Sequence, residues 1–151
     1  MVNETMVNET MVNSINEIQD EIIDEFSQFD DWMDRYSLLI ELGNDLEPFD
    51  EQDRTEQNLI DGCQSKVWFT ASIADGRIHY KGDSDAILVK GIVALLIRVL
   101  SDQTPEDIVA ADLYFIDRIN LREHLSPTRS NGLVAMLKQM RLYAAAFAAQ
   151  H

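Results

Sequence analysis

Around Asn58 the spacing of apolar residues changes from that of helices to that of strands, and no other feature restricts the fold as much. Val67, Phe69, Ala71 and Ile73 alternate with other residues, Asp75-Gly76 carries a two-residue hairpin signal, and Ile78 and Tyr80 resume the alternation. Two antiparallel strands follow, and a short strand over 57–60 would complete a meander. On either side the period is helical. Ser14 and Glu17 form a capping-box pattern ahead of Ile15, Ile18, Ile22, Phe26 and Phe29. Trp32, Tyr36, Leu39 and Ile40 repeat with the same spacing as far as Gly43, which reads as a C-terminal stop. The apolar run 86–100 reads as a buried helix capped by Ser84 or Asp85, while Thr104-Pro105 and Ser126-Pro127 each set a capping hydroxyl before a first-turn proline. The last of these helices spans about 127–149, with Leu133, Met136, Leu137, Met140 and Phe147 as its core stripe. The expected class is α/β in the α+β sense: a small three-stranded antiparallel meander packed against several helices.

With 151 residues and 46% hydrophobic content the chain can build one core without a disulfide or structural metal. Residues 1–13 repeat Met-Val-Asn-Glu-Thr in tandem and bear too few apolar groups to join that core, so a dispensable disordered tail 1–13 and a single domain 14–151 are expected. Twelve basic against 27 acidic side chains give a formal charge of −15, which repels phosphate backbones and anionic head groups; neither nucleic acid nor membrane is an expected partner. The run 86–100 is too short for a bilayer and carries Lys90 and Arg98. The N-terminus has no basic lead followed by an apolar stretch, and the expected location is cytoplasmic. The polar connection 44–57, with Pro48, reads as a solvated loop that could face a partner.

The chain has one cysteine, Cys63, in Asp61-Gly62-Cys63-Gln64-Ser65-Lys66-Val67-Trp68. A solitary thiol makes no internal disulfide and cannot hold an iron–sulfur cluster alone, so its sulfur chemistry needs a second molecule. Gly62, Gln64 and Ser65 set it on a turn; composition leaves both a structural and a working cysteine open. A Cys–His hydrolase is disfavoured, because His79 alternates onto the solvent side of a strand, His124 lies near a helix end and His151 is terminal. Asp83, Asp85 and His79 are metal-ligand types, yet an acidic pair before a helix is more simply a cap. No metal or cofactor is assigned. What remains is thiol exchange with another protein's persulfide, in which Asp61 would raise the thiol pKa and Lys66 or a remote arginine would lower it.

Three stretches carry a family resemblance: Gly62-Cys63-Gln64-Ser65 with Val67-Trp68, Lys81-Gly82-Asp83-Ser84-Asp85-Ala86 with Val89-Lys90-Gly91, and Leu125-Ser126-Pro127 with Arg129 and Asn131-Gly132. Over residues 14–150 the chain resembles the SufE family of sulfur-acceptor proteins. The resemblance implies a small α/β domain related to iron–sulfur scaffold proteins, not itself an enzyme, which binds and stimulates a pyridoxal-phosphate-dependent cysteine desulfurase. It implies that Cys63 accepts the persulfide sulfur and relays it toward iron–sulfur cluster assembly, with a scaffold complex as a further partner. Gly62, Gln64 and Ser65 would shape the loop, Asp83 would belong to the loop and partner-binding set, and Arg129 takes the place of a family arginine associated with the desulfurase. Cys63 is then expected to be sheltered until the desulfurase docks, on a loop hinged at Gly62. Capping roles for Asp83, Ser84, Ser126 and Pro127, and a core-filling role for Trp68, stand beside these. The alternative is a non-covalent module regulating a desulfurase, or an acceptor for a different sulfur-trafficking pathway.

Overall fold

The computed structural model describes residues 14–150; the expectations for the repeat 1–13 and for His151 lie outside them. Helix α1, Ile15–Ser27, begins with the capping box: the Ser14 hydroxyl accepts the Glu17 N–H at 3.1 Å and the Glu17 carboxylate accepts the Ser14 N–H at 3.3 Å. Its inner face is Ile15, Gln19, Ile22 and Phe26. Gln19 is fully buried without penalty because its carbonyl accepts the N–H of Phe115 at 3.1 Å and its amide donates to Asp112 O at 3.0 Å.

Helix α2, Trp32–Asn44, is capped by Asp31, whose carboxylate accepts the Met33 N–H at 2.9 Å. Gly43 does not stop it. It lies inside the last turn, where a Cβ would come within 2.9 Å of the Gly91 nitrogen, so its smallness serves close helix packing.

Strands β1, Val67–Ala74, and β2, Arg77–Ser84, form an antiparallel hairpin in which Val67 faces Ser84 and Ala74 faces Arg77. Asp75 and Gly76 both take positive φ, 54° and 75°, the primed turn that suits a twisted hairpin. Among the described residues the sheet has two strands, not the three of the expected meander. The segment before β1 coils into short 3-10 turns, Glu51–Asp53 and Glu56–Asn58, and the expected first strand shrinks to a single bridge between Leu59 and Trp68. The Asn58 side-chain amide donates to Asp53 O at 2.8 Å, which favours the coiled backbone over an extended one.

Helix α3, Ile87–Leu100, is buried nearly all round and lies between β2 and α2. Its N-cap is Ala86, with no side-chain cap: of the expected caps, Ser84 donates to Lys66 O and accepts only the N–H of Ala86 itself, at 3.2 Å, while the Asp85 carboxylate accepts the Lys66 N–H. Two glycines set its distance from its neighbours. A Cβ on Gly91 would lie 2.2 Å from Leu39 O, and one on Gly82 would lie 2.8 Å from Val93 Cγ1. Helix α4, Pro105–Ala110, opens at Thr104, and the short α5, Phe115–Arg118, packs on α1. Helix α6, Pro127–Ala149, starts at Ser126, whose hydroxyl accepts the Arg129 N–H at 3.2 Å, and it buries Leu133, Met136, Leu137, Met140 and Ala144 against α3 and α4. The buried Tyr80 hydroxyl donates to Met140 O at 2.7 Å and ties the sheet to α6. No described helix is long and apolar enough to cross a membrane.

Candidate functional site

The only cysteine sits at the crest of a loop, 61–66, whose two ends are pinned. Ile60 N–H donates to Val67 O at 2.9 Å and closes the base. Lys66 is held three ways at the rear: its N–H donates to the Asp85 carboxylate at 3.0 Å, and its carbonyl accepts both the Ser84 hydroxyl at 2.8 Å and the Asp85 N–H at 3.2 Å. The chain turns toward Cys63 through Gly62 at φ +93°, a conformation that a side chain would strain.

The crest rests on the N-terminal half of α6. The Cys63 thiol is half-buried and donates to Gly132 O at 3.6 Å, and a Cβ on Gly132 would stand 3.4 Å from its sulfur. Beside it opens a cavity of about 240 Å³. Gln64, Ser65, Ser126 and Arg129 form its polar side, while Val89, Ile92 and Met136 form the apolar wall. Burial pushes the Cys63 thiol above its ordinary pKa, so at neutral pH it rests protonated against the carbonyl. Arg129 is exposed, and its guanidinium makes no ion pair with a described residue.

Cys63, Gln64 and Ser65 thus share one cavity with Arg129, which is remote from them in sequence, and Gly62 shapes the approach to it. Asp83 is not part of that cavity. It lies buried on β2, its carboxylate paired with Arg54 at 2.5 Å and Lys90 at 3.3 Å. Arg54 in turn lies over the ring of Trp68, 5.3 Å from its centroid. Burial opposes ionisation of Asp83, but the Ser84 backbone, Arg54 and Lys90 together hold its carboxyl below the usual range. Asp83 therefore clamps the 44–58 connection to the sheet, next to the residues that grip Lys66. Sequence reasoning missed Arg54, since nothing local marks a cation whose carboxylate partner lies on a distant strand. It also missed Val89, Ile92 and Met136 as cavity wall, because a helical apolar stripe looks the same whether it meets core or cavity.

Neither described histidine reaches the thiol. His79 bridges Asp102 at 3.0 Å and Glu47 at 2.8 Å, and these carboxylates, Asp102 first, raise its pKa. His124 stacks on Trp32 with ring centroids 3.9 Å apart. Asp83, Asp85 and His79 face three different sets of partners and do not converge.

Residues 20–144 match the family model described as SufE, Fe-S metabolism associated domain. The fold is similar to the solution structure of a hypothetical protein from Thermus thermophilus, with a TM-score of 0.71 and 21% identity over 85% of this chain and 94% of that one.

Proposed function

Since this chain belongs to the SufE family, an Fe–S metabolism associated group, we propose that it is a sulfur acceptor in which Cys63 takes the outer sulfur of a persulfide held by a pyridoxal-phosphate-dependent cysteine desulfurase. The observation that carries this reading is the placement of the thiol: half-buried over Gly132, beside a cavity with an apolar wall, on a loop pinned at its ends and held at its crest by the thiol's own contact with Gly132 O.

The transfer balances without an oxidant. The Cys63 thiolate attacks the outer sulfur, the donor's S–S bond breaks as a Cys63 S–S bond forms, and the donor cysteine leaves as a thiolate that takes up the proton released by Cys63. The resting contact suppresses this reaction in the free protein, because burial keeps the thiol neutral. Docking must therefore lift the loop from Gly132, and it does so only if the partner binds the lifted state more tightly. Arg129, free of internal ion pairing and at the cavity rim, supplies a cation for the partner and for the emerging thiolate. Once loaded, the added sulfur fits against Val89, Ile92 and Met136, where water-borne oxidants have poor access, until a scaffold complex for cluster assembly receives it.

Incubation with desulfurase and free cysteine, followed by mass spectrometry, should show one added sulfur at Cys63 and none in Cys63→Ser, which should keep its fold. An unmodified chain that still alters desulfurase turnover would overturn the carrier in favour of a non-covalent regulator. Loading without delivery to a cluster scaffold would assign the sulfur to another trafficking pathway.

A further inference from the structure

From Asn44 to Leu59 the connection between α2 and the thiol loop has no fully buried side chain, so little apolar packing keeps it in place. Its hold on the hairpin is mostly charge. Arg54 reaches Asp83 on β2, and nearer α2 the Glu47 carboxylate reaches the same strand twice, 2.8 Å from His79 Nε2 and 3.7 Å from Lys81 Nζ. The far end of this strap runs into the root of the thiol loop, where Leu59 bridges Trp68 and Ile60 bonds to Val67.

His79 is the contact that a single proton decides. Asp102, in the turn after α3, places a carboxylate oxygen 3.0 Å from Nδ1, while Glu47 occupies Nε2, so both ring nitrogens face acceptors. A neutral imidazole carries one N–H; its bare nitrogen would set a lone pair against a carboxylate. Only the imidazolium satisfies both contacts together. The other neighbours leave that count unchanged. On β2, Lys81 pairs with Glu47, and Arg77 donates to the Asp102 backbone oxygen at 3.0 Å. The Ser101 hydroxyl, 3.5 Å from Nδ1, already accepts the Tyr80 N–H, and Ser72, opposite on β1, brings no charge. In keeping with this geometry, Asp102 and then Glu47 raise the ring's pKa.

We infer that His79 is a proton-dependent latch: charged, it fastens the 44–58 strap to β2 and to the turn after α3; neutral, it releases the strap and loosens the root of the Cys63 loop. The neutral ring keeps at most one of its two contacts and no charge attraction. Because the folded value is raised, the latch is complete below the ordinary histidine pKa of about 6.5 and is lost as the pH climbs through the higher folded value. The latch does not depend on what Cys63 receives; it sets how freely the loop that carries the thiol moves.

The test is hydrogen exchange of the full chain from about pH 5.5 to about pH 8.5, a span around the ordinary histidine value. It follows the amides of Arg54, Asn58 and Leu59, each hydrogen-bonded within the strap, relative to an unstructured peptide at the same pH. Relative exchange should rise about threefold with pH, the modest size that fits an ion pair whose histidine is 40% exposed. The rise should follow the ring resonances of His79, with a midpoint above about 6.5. His79→Gln should exchange at the fast rate throughout, and Glu47→Gln should lower the His79 midpoint and flatten the profile. Alkylation of Cys63, taken as the ratio of His79→Gln to wild type so that thiol ionisation cancels, should start above one and fall to one at the alkaline end. Should His79→Gln lose its circular dichroism, Glu47→Gln, at an exposed position, tests the same latch. Exchange independent of pH in the wild type, a His79 midpoint at or below the ordinary value, a profile that survives either substitution, or an alkylation ratio of one throughout would each overturn the proposal.

Discussion

Asp83 shows how a residue can be legible as chemistry and illegible as a partner. The sequence marks an acidic group before a helix, which suggests a cap or a contact surface; the folded chain instead buries it between Arg54 and Lys90, which are 28% and 34% exposed. Removing one member of a buried ion pair leaves charges without compensation, and because both cations keep partial contact with water, Asp83→Asn should cost about 2 kcal/mol, below the usual range for fully buried pairs. The pH dependence follows from the depressed pKa. Such a carboxyl stabilises the fold fully above its unfolded value, about 3.9, and the contribution fades as the pH falls through the lower folded value. Denaturant titrations of both proteins should therefore differ at pH 7 and converge as the wild-type carboxyl protonates in acid. An undiminished gap at the lowest pH at which both remain folded would point to packing instead. Cys63 contrasts with Asp83: its turn and solitary state were readable, while its hydrogen bond to Gly132 O depends on a helix that begins more than sixty residues later.

Local signals located most elements because caps and alternation act over a few residues. Ser14, Thr104 and Ser126 cap the helices they precede, and Asp75-Gly76 makes the hairpin turn. The misreadings come from longer-range causes. The expected first strand over 57–60 was displaced by 3-10 turns stitched through Asn58, and α5, four residues long with no side-chain cap, has no periodicity to read. Gly43 and Gly91 belong to the same group, since their purpose exists only where α2 crosses α3. Ala is favoured over Gly in a helix by about 1 kcal/mol, yet Gly91→Ala would drive a methyl into the Leu39 carbonyl. The overpacked crossing should outweigh propensity and leave the variant about 2 kcal/mol less stable. Equilibrium urea unfolding checks the sign, and a stabilised Gly91→Ala would show that the two helices separate at little cost.

At the scale of the whole molecule the dominant fact is charge. Ion pairs such as Arg98 with Glu25 engage a few of the 27 carboxylates, and the remainder repel one another across a small surface. Salt shortens the range of that repulsion from about 30 Å at 0.01 M to about 3 Å at 1 M. Thermal unfolding of the protein should therefore move upward by about 3 °C over that interval, the equivalent of roughly 1 kcal/mol. A falling Tm would mean that the ion pairs outweigh the excess charge. Composition alone foretold the sign of the field, but not that Arg129 and Lys138 would remain unengaged on the helix that carries the thiol's resting place.

The pinned base of the 61–66 loop also sets a length. With Ile60 bonded to Val67, the crest can rise no farther than about half the loop's contour, and three residues at 3.3–3.6 Å each reach about 10 Å. In the proposed role Cys63 would thus be on a short leash: it could not search for a donor across solution, and a sulfur donor would have to come within about 10 Å of the α6 surface before an exchange could begin.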